Sequence, residues 1–294
     1  MHFNMIGGGA WGTAVATLLQ RNEHQAAFLP KGSSQWDTCG DAVFLALPCQ
    51  NIAQCIAALP APACPVISLV KGIDVEHFLR VSELVQHYWP GVEFAVVSGP
   101  SFAHEVMAAQ PTAAVVASTN EDLSCKVQTW MHQRSFRLYR SRDVVGVELG
   151  GALKNVYAIA GGMCCGLGMG ENARAALMTR CLAEMTRIAL EFGARAETLA
   201  GLSGAGDLML TAYSGRSRNH QVGEALGAGK QLETIMHDLI GTAEGVPTTQ
   251  AVYNYSLKQG IRAPVLMEVH AVLFEGKSPR ESFRDLMTSR PGEE

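Results

Sequence analysis

Residues His2 to Ile6 form a short, mostly apolar run that passes directly into Gly7-Gly8-Gly9-Ala10-Trp11-Gly12, and an Ala-rich helical pattern follows to Arg21. Strand, Gly-x-Gly-x-x-Gly, helix is the most restrictive statement this chain makes about its fold. The first glycine, Gly7, permits a tight turn; the second, Gly9, lets backbone approach a pyrophosphate; the third, Gly12, lets helix and strand pack closely. The helix N-terminus adds amide donors and the positive end of its dipole. With 30 glycines in the chain, chance matches to the bare pattern are easy. The weight therefore lies in its position straight after the first strand. A glycine-rich turn without a ligand is the bland alternative.

Further apolar runs at Gln25 to Leu29, Ala42 to Leu47, Pro65 to Val70, Phe94 to Ser98, Thr112 to Ala117 and Phe136 to Tyr139 read as strands. They alternate with helical patterns at Asn51 to Ala58, His77 to Tyr88 and around Asp122 to His132. Alternation of this kind predicts a parallel sheet with right-handed crossovers. From about Arg142 the strand signal ends. Helical patterns occupy Val144 to Leu167, Glu171 to Phe192, Asn219 to Leu226, Leu232 to Leu239, Pro247 to Gln259, Pro264 to Glu275 and Ser278 to Thr288. Ala173, Leu177, Cys181, Met185, Ile188 and Phe192 recur three or four apart, as a core stripe does. The expected fold is α/β, a Rossmann-type doubly wound domain over 1–140 followed by an all-helical domain over 141–294.

Composition narrows the function. At 294 residues the chain can bury a substantial core. A net charge of −4 argues against nucleic acid as the main partner, because binding a phosphate backbone needs a clustered basic excess. The eight cysteines include no Cys-x-x-Cys pair and no zinc-type spacing with histidine, so no metal is expected and reduced thiols fit best. The most apolar long window, Ile52 to Val70, contains Pro60, Pro62 and Pro65, which rules out a spanning helix. No signal peptide pattern precedes the first strand. The expectation is a cytoplasmic protein without stable membrane insertion.

In an open α/β sheet, ligands sit beyond the carboxyl ends of the strands. There the chain places Lys71-Gly72 and Gly99-Pro100-Ser101-Phe102-Ala103, suited to the nicotinamide end of a dinucleotide or, blandly, an ordinary rim lysine and turn. After the second strand an acidic residue would favour NAD and a basic one NADP. The chain offers Pro30 and Lys31, with no acid before Asp37, so the reading leans toward NADP, although Lys31 also fits a solvated loop.

In the helical half, Lys154 and Asn155 interrupt the small, apolar stretch Val147 to Gly162. Gly151, Lys154 and Ala158 share one helical face, leaving little bulk around the ammonium. Burial there would lower the lysine pKa toward the range useful for proton transfer, unless the side chain snorkels to water. Gly201-Leu202-Ser203-Gly204-Ala205-Gly206-Asp207-Leu208 puts three glycines before an aspartate, as if for tight backbone approach, with Asp207 otherwise a capping acid. Ser217-Arg218-Asn219 opens a helix and gathers hydroxyl, guanidinium, amide and backbone donors, a cap or a seat for a dianionic phosphate.

Taken together, Gly7 to Thr13, Lys71-Gly72, Ser98 to Ala103, Glu148 to Asn155, Gly201 to Leu208, Gly215 to Asn219 and Glu244-Gly245 resemble the bacterial-type NAD(P)-dependent glycerol-3-phosphate dehydrogenases. The resemblance spans nearly the whole chain. It implies a Rossmann-type domain, then a helical domain like that of 6-phosphogluconate dehydrogenase. It implies interconversion of dihydroxyacetone phosphate, a phosphorylated triose, with sn-glycerol 3-phosphate for glycerophospholipid synthesis, using NAD or NADP. A homodimer is a separate expectation that no residue pattern here carries. By position it makes Lys154 the proton acceptor and sets Lys71 near cofactor and substrate. Gly99, Ser101, Asp207, Ser217, Arg218 and Asn219 fall on substrate positions. Ala10, Trp11, Ala103, Arg218, Thr242 and Glu244 fall on cofactor positions. One departure stands out: the family's longer segment between the second and third strands, with its helix, is here only Pro30 to Gly40. That shortens a wall of the adenine pocket and implies altered cofactor affinity with the chemistry intact. A related dehydrogenase acting on a hydroxy acid, or a cofactor-sensing protein without turnover, are the alternatives.

Overall fold

In the computed structural model, which describes residues 1–33 and 40–288, a seven-stranded sheet comes first and a helical assembly follows. The strands are β1 (His2–Ile6), β2 (Gln25–Phe28), β3 (Ala42–Leu45), β4 (Val66–Ser68), β5 (Phe94–Ser98), β6 (Thr112–Ala117) and β7 (Phe136–Ser141). Among them run α1 (Ala10–Arg21), α2 (Ile52–Ala57), α3 (Val81–Tyr88), α4 (Ala103–Met107) and α5 (Glu121–Met131). Strand order is β2-β1-β3-β4-β5-β6-β7, with Phe3 paired to both Ala26 and Ala42. Phe3, Met5, Phe44 and Ile67 point to one face, under α1 and α5, while Ile6, Val43, Leu45 and Val66 point to the other, under α2 and α3. Both faces are covered, which is why these strands read as continuous apolar runs.

Three expectations need correction. The sheet is not wholly parallel: β6 runs antiparallel to β5, with Val97 opposite Val116, and β7 follows β6 in parallel. The connection carries α4, a helix the periodicity does not announce. It docks on α1, where Arg21 Nη2 donates to the Met107 carbonyl at 2.6 Å and Nη1 to that of Val106 at 3.3 Å. The chain leaves β5 at Ser98 and sets Val115 opposite it, so it re-enters the sheet from the end it left, without the full crossover a parallel strand requires. Second, α3 starts at Val81 rather than His77. Asp74 accepts from the His77 amide at 2.8 Å and Phe78 sits at φ +57°, a turn that forbids helix. Third, three short helical pieces, Ala196–Ala200, Leu202–Gly206 and Asp207–Tyr213, occupy a stretch where the periodicity marks no helix. The reading of Asp37 and the segment around it falls largely outside the described residues.

The helical part comprises α6 (Val144–Gly166), α7 (Glu171–Leu190), α8 (Ala196–Ala200), a π-helical turn (Leu202–Gly206), α9 (Asp207–Tyr213), α10 (Arg218–Gly227), α11 (Leu232–Asp238), α12 (Gly245–Gln259), α13 (Pro264–Phe274) and α14 (Pro279–Thr288). Helix α6 is buried over almost its whole length and forms the axis. A helix apolar all round must be surrounded, and α7, α9, α10 and α12 do this. The crossing with α10 is the tightest. A Cβ on Gly162 would lie 2.1 Å from the His220 carbonyl oxygen, and one on Gly223 would lie 2.0 Å from that of Ile159. The stripe on α7 is buried at Cys181, Met185 and Ile188 and packs at Leu177 and Phe192. No helix among the described residues is long and apolar enough to cross a membrane.

Candidate active site

The glycine turn behaves as its spacing predicts. Gly7 takes φ +109°, and a Cβ there would lie 2.5 Å from the Ala46 carbonyl oxygen. A Cβ on Gly12 would fall 2.1 Å from the Gly7 carbonyl oxygen, so the third glycine sets α1 hard against the turn. Around Gly9, by contrast, nothing lies within 4 Å of such an atom. The first turn of α1 has no side-chain cap and no acid, leaving its amide donors for an external anion. Gly9, Ala10 and Trp11 border a cleft of about 910 Å³, and the buried Trp11 Nε1 has no hydrogen-bond partner. A backbone cradle open at one glycine, beside an unpaired indole donor, fits a dinucleotide.

Opposite the turn, the cleft is lined by Lys71, Ser101, Ala103, Lys154, Ser217, Arg218, Asn219, Thr242 and Glu244. Its floor is a chain of charges. Asp207, 1% exposed, accepts from Lys154 Nζ at Oδ1 and from Lys71 Nζ at Oδ2, both at 2.6 Å. Lys154 Nζ also donates to Thr211 Oγ1 at 2.8 Å, and Lys71 Nζ to the Gly99 carbonyl at 2.8 Å. Burial pushes the Lys154 ammonium down to about 8, with Asp207 opposing and Lys71 assisting. Burial acts to raise the carboxyl of Asp207, yet the two ammoniums outweigh it and hold it below its ordinary value. One carboxylate between two ammoniums leaves a net positive floor, suited to a developing oxyanion.

Local geometry explains why these groups meet. Lys154 does not snorkel: α9 closes over it, with Asp207 and Thr211 one helical turn apart on the same face. Asp207 is not a cap, since its oxygens take the ammoniums. The three glycines before it do not open a path for a ligand. A Cβ on Gly204 would lie 2.0 Å from the Leu199 carbonyl oxygen, so the glycines serve the π-helical turn that closes through the Gly206 amide and Gly201 carbonyl at 3.1 Å. Gly99, at φ +145°, turns its carbonyl to Lys71, and Ser101 Oγ donates to the same carbonyl at 2.9 Å.

The corner at Arg218 is more divided than expected. Ser217 caps α10, its Oγ accepting from the His220 amide at 3.3 Å. The Asn219 side chain is engaged at both ends: Nδ2 donates to Asn155 Oδ1 and Oδ1 accepts from the Gly245 amide, each at 2.9 Å. Its amide is therefore largely committed to structure rather than free for a phosphate. Asn155 in turn donates to the Lys71 carbonyl at 2.9 Å, tying the sheet rim to α6, α10 and α12. Arg218 itself is exposed on the cleft. Glu244 accepts from the Cys49 amide at 3.1 Å, and burial raises its carboxyl above the ordinary range. Lys31 is exposed on the turn after β2 and is not among the residues lining the cleft.

Sequence reasoning missed Thr211, Asn155 as a positioning residue, and the cleft mouth. Thr211 was accessible from its i+4 spacing to Asp207. At the mouth, Arg216 Nη1 lies 2.8 Å from His104 Nε2, and Ile240, 95% exposed, borders the opening. No pattern in the sequence announces these.

Comparisons with known proteins bear on this geometry. The family model described as NAD-dependent glycerol-3-phosphate dehydrogenase C-terminus matches residues 143–284, and the N-terminus model of the same family matches 37–124. The glycerol-3-phosphate dehydrogenase [NAD(P)+] of Koribacter versatilis (strain Ellin345) is 40% identical, covering 98% of this chain and 96% of its own. That of Pseudomonas fluorescens (strain SBW25) is 39% identical, covering 98% and 94%. Those alignments extend over 326 and 320 positions against a chain of 294 residues, so the relatives carry residues absent here. A crystal structure of glycerol-3-phosphate dehydrogenase from Coxiella burnetii superposes with a TM-score of 0.91 at 31% identity, covering 98% of each chain.

Proposed function

Because the chain belongs to the NAD-dependent glycerol-3-phosphate dehydrogenase family, we propose that it reduces dihydroxyacetone phosphate to sn-glycerol 3-phosphate, reversibly, with NADH or NADPH. The product feeds glycerophospholipid synthesis. The observation that carries this reading is the buried Lys71–Asp207–Lys154 cluster on the floor of a cleft whose far wall is the glycine turn.

In this proposal Gly7, Gly9, Ala10, Trp11 and Gly12 hold the dinucleotide, with Ala103, Thr242 and Glu244 along its path. Bound there, a reduced nicotinamide supplies the hydride for the ketone carbon. Lys154, as ammonium, gives the proton from Nζ to the substrate's carbonyl oxygen and takes it back in oxidation. Asp207 and Thr211 hold Nζ in one position, so the proton is delivered along a fixed direction. Lys71 keeps a second positive charge beside the oxygen as its negative charge grows. Gly99 and Ser101 shape the substrate's near side, and Ser101 Oγ stands 3.5 Å from Lys71 Nζ. Arg218, with the amides opening α10 around Ser217 and Asn219, grips the phosphate, and that remote binding energy orients the carbonyl.

Lys31 supports a preference for NADPH, as the basic residue on the β2 turn. Residues 1–140 act as the nucleotide domain and 141–294 as the substrate domain. A cytoplasmic homodimer completes the proposal, and sedimentation of the purified protein tests its oligomeric part. The activity is tested by mixing the protein with NADPH and dihydroxyacetone phosphate and following loss of nicotinamide absorbance. Turnover with the phosphorylated triose, and none with unphosphorylated 2-keto acids, is the expected result. Turnover with the keto acids instead would replace this reading, and cofactor binding without any turnover would remove it.

A further inference from the structure

One polar cluster lies outside the cleft and has no part in the chemistry above. Cys165, near the end of α6, faces His220 and Glu224 on α10, and one donor atom from each lies within 4.8 Å of the others. Glu224 Oε2 is 3.9 Å from His220 Nε2, and Glu224 Oε1 is 3.6 Å from Cys165 Sγ. We propose that Cys165, His220 and Glu224 bind one divalent cation of the zinc class, which clamps α6 to α10.

The donor set has the required chemistry. Thiolate, imidazole and carboxylate are the ligands of tetrahedral zinc, at about 2.0–2.3 Å from the metal, so their mutual separations in a formed site are roughly 3.3–3.6 Å. The two Glu224 separations are near that spacing and the Cys165-to-His220 one is under 4.8 Å, so the site closes by small rotations of Glu224, whose side chain is about half exposed, and of the half-buried Cys165. His220 and Glu224 stand four apart on one helix, which aligns both with the same spot on α6. The glycine-to-backbone crossing at Gly162 and Gly223 brings the helices near enough for a cysteine to complete the set. That is why no ligand spacing marks the site in the sequence: its cysteine and histidine are 55 positions apart and meet only through the crossing. The Arg174 guanidinium raises the local positive potential, but it is turned away, paired with Glu171 at 3.3 Å and stacked on Tyr213. His220 is buried, whereas Cys165 is only half-buried and Glu224 exposed, so the ion enters from solvent and keeps a fourth, open position for water. The site adjoins the first turn of α10, where Ser217, Arg218 and Asn219 reside, so an ion there fixes the start of that helix.

Full-length protein stripped with a chelator is titrated with Zn²⁺ and, in parallel, with Co²⁺. The expected result is one ion bound, a thiolate-to-cobalt charge-transfer band and a raised melting temperature. Cys165→Ser abolishes the cobalt band, and Glu224→Gln weakens zinc binding by about tenfold or more, as loss of a ligand or its support does in known sites. Glu224 is exposed, so Glu224→Gln keeps the fold and decides the matter should Cys165→Ser not fold. No cobalt band in the wild type, a band that survives in Cys165→Ser, or zinc affinity unchanged in Glu224→Gln would each overturn the proposal.

Discussion

The two ends of the cleft are built on opposite terms. At the floor, Lys71, Lys154 and Asp207 come from the sheet rim, α6 and α9, and each is held by at least two short polar contacts. At the adenosine end, β2 is a four-residue edge strand paired only with β1, mostly exposed, and it runs into Pro30-Lys31-Gly32. Buried charges without partners cost several kcal/mol, so the floor can exist only complete, whereas an exposed edge tolerates shortening. The difference locates where this chain can depart from its relatives: in cofactor affinity and not in proton transfer.

The sharpest way to break that contrast is to remove the carboxylate that both ammoniums share. Asp207→Ala leaves two largely buried ammoniums with no carboxylate in hydrogen-bond contact. A loss of about 3–5 kcal/mol in denaturant unfolding is expected. A loss below about 1 kcal/mol would mean the cluster is solvated after all. Next in size, Lys154→Ala is expected to lower turnover by about two orders of magnitude, with cofactor Michaelis constants little changed. Near-normal turnover would remove Lys154 from its role. Arg218→Ala sharpens the picture between the two ends: the Michaelis constant for dihydroxyacetone phosphate should rise by about tenfold or more while turnover falls less. An unchanged constant would contradict the phosphate grip. Smallest of all, Lys31→Ala at the exposed edge should raise the NADPH Michaelis constant by no more than about fivefold, the range of a solvent-screened ion pair. A larger effect would show that the β2 edge grips the cofactor as firmly as the floor grips the substrate.

How far the sequence reaches follows the same division. The glycine turn and α6 are legible because each is local: one needs a positive φ and two close approaches, the other a run of small apolar residues around Lys154. The reversed β6 is illegible because a strand's own residues do not set its direction, and the connection before it packs through contacts such as those of Arg21 with Val106 and Met107, 85 and more positions apart. The glycines before Asp207 announce a tight backbone approach, which Gly204 makes against Leu199, but not what is approached, because a tight turn and a ligand leave the same trace in a sequence. Asn219 carries a second part the sequence does not show: its side-chain amide joins Asn155 to Gly245 while the residue lines the cleft. Thr211 shows the opposite case, since its spacing to Asp207 on α9 already implied a shared partner.

The central claim is that Lys154 delivers its proton as an ammonium whose pKa burial has brought down to about 8. It is tested most directly by the pH dependence of kcat/KM, which reports the ionisation of the free enzyme. Reduction needs the protonated form, so its kcat/KM should be level below about pH 8 and fall tenfold per unit above it, while oxidation rises through the same region. The residual activity of Lys154→Ala should show no such break. A reductive profile without a break near pH 8, or one whose break persists in Lys154→Ala, would contradict the account.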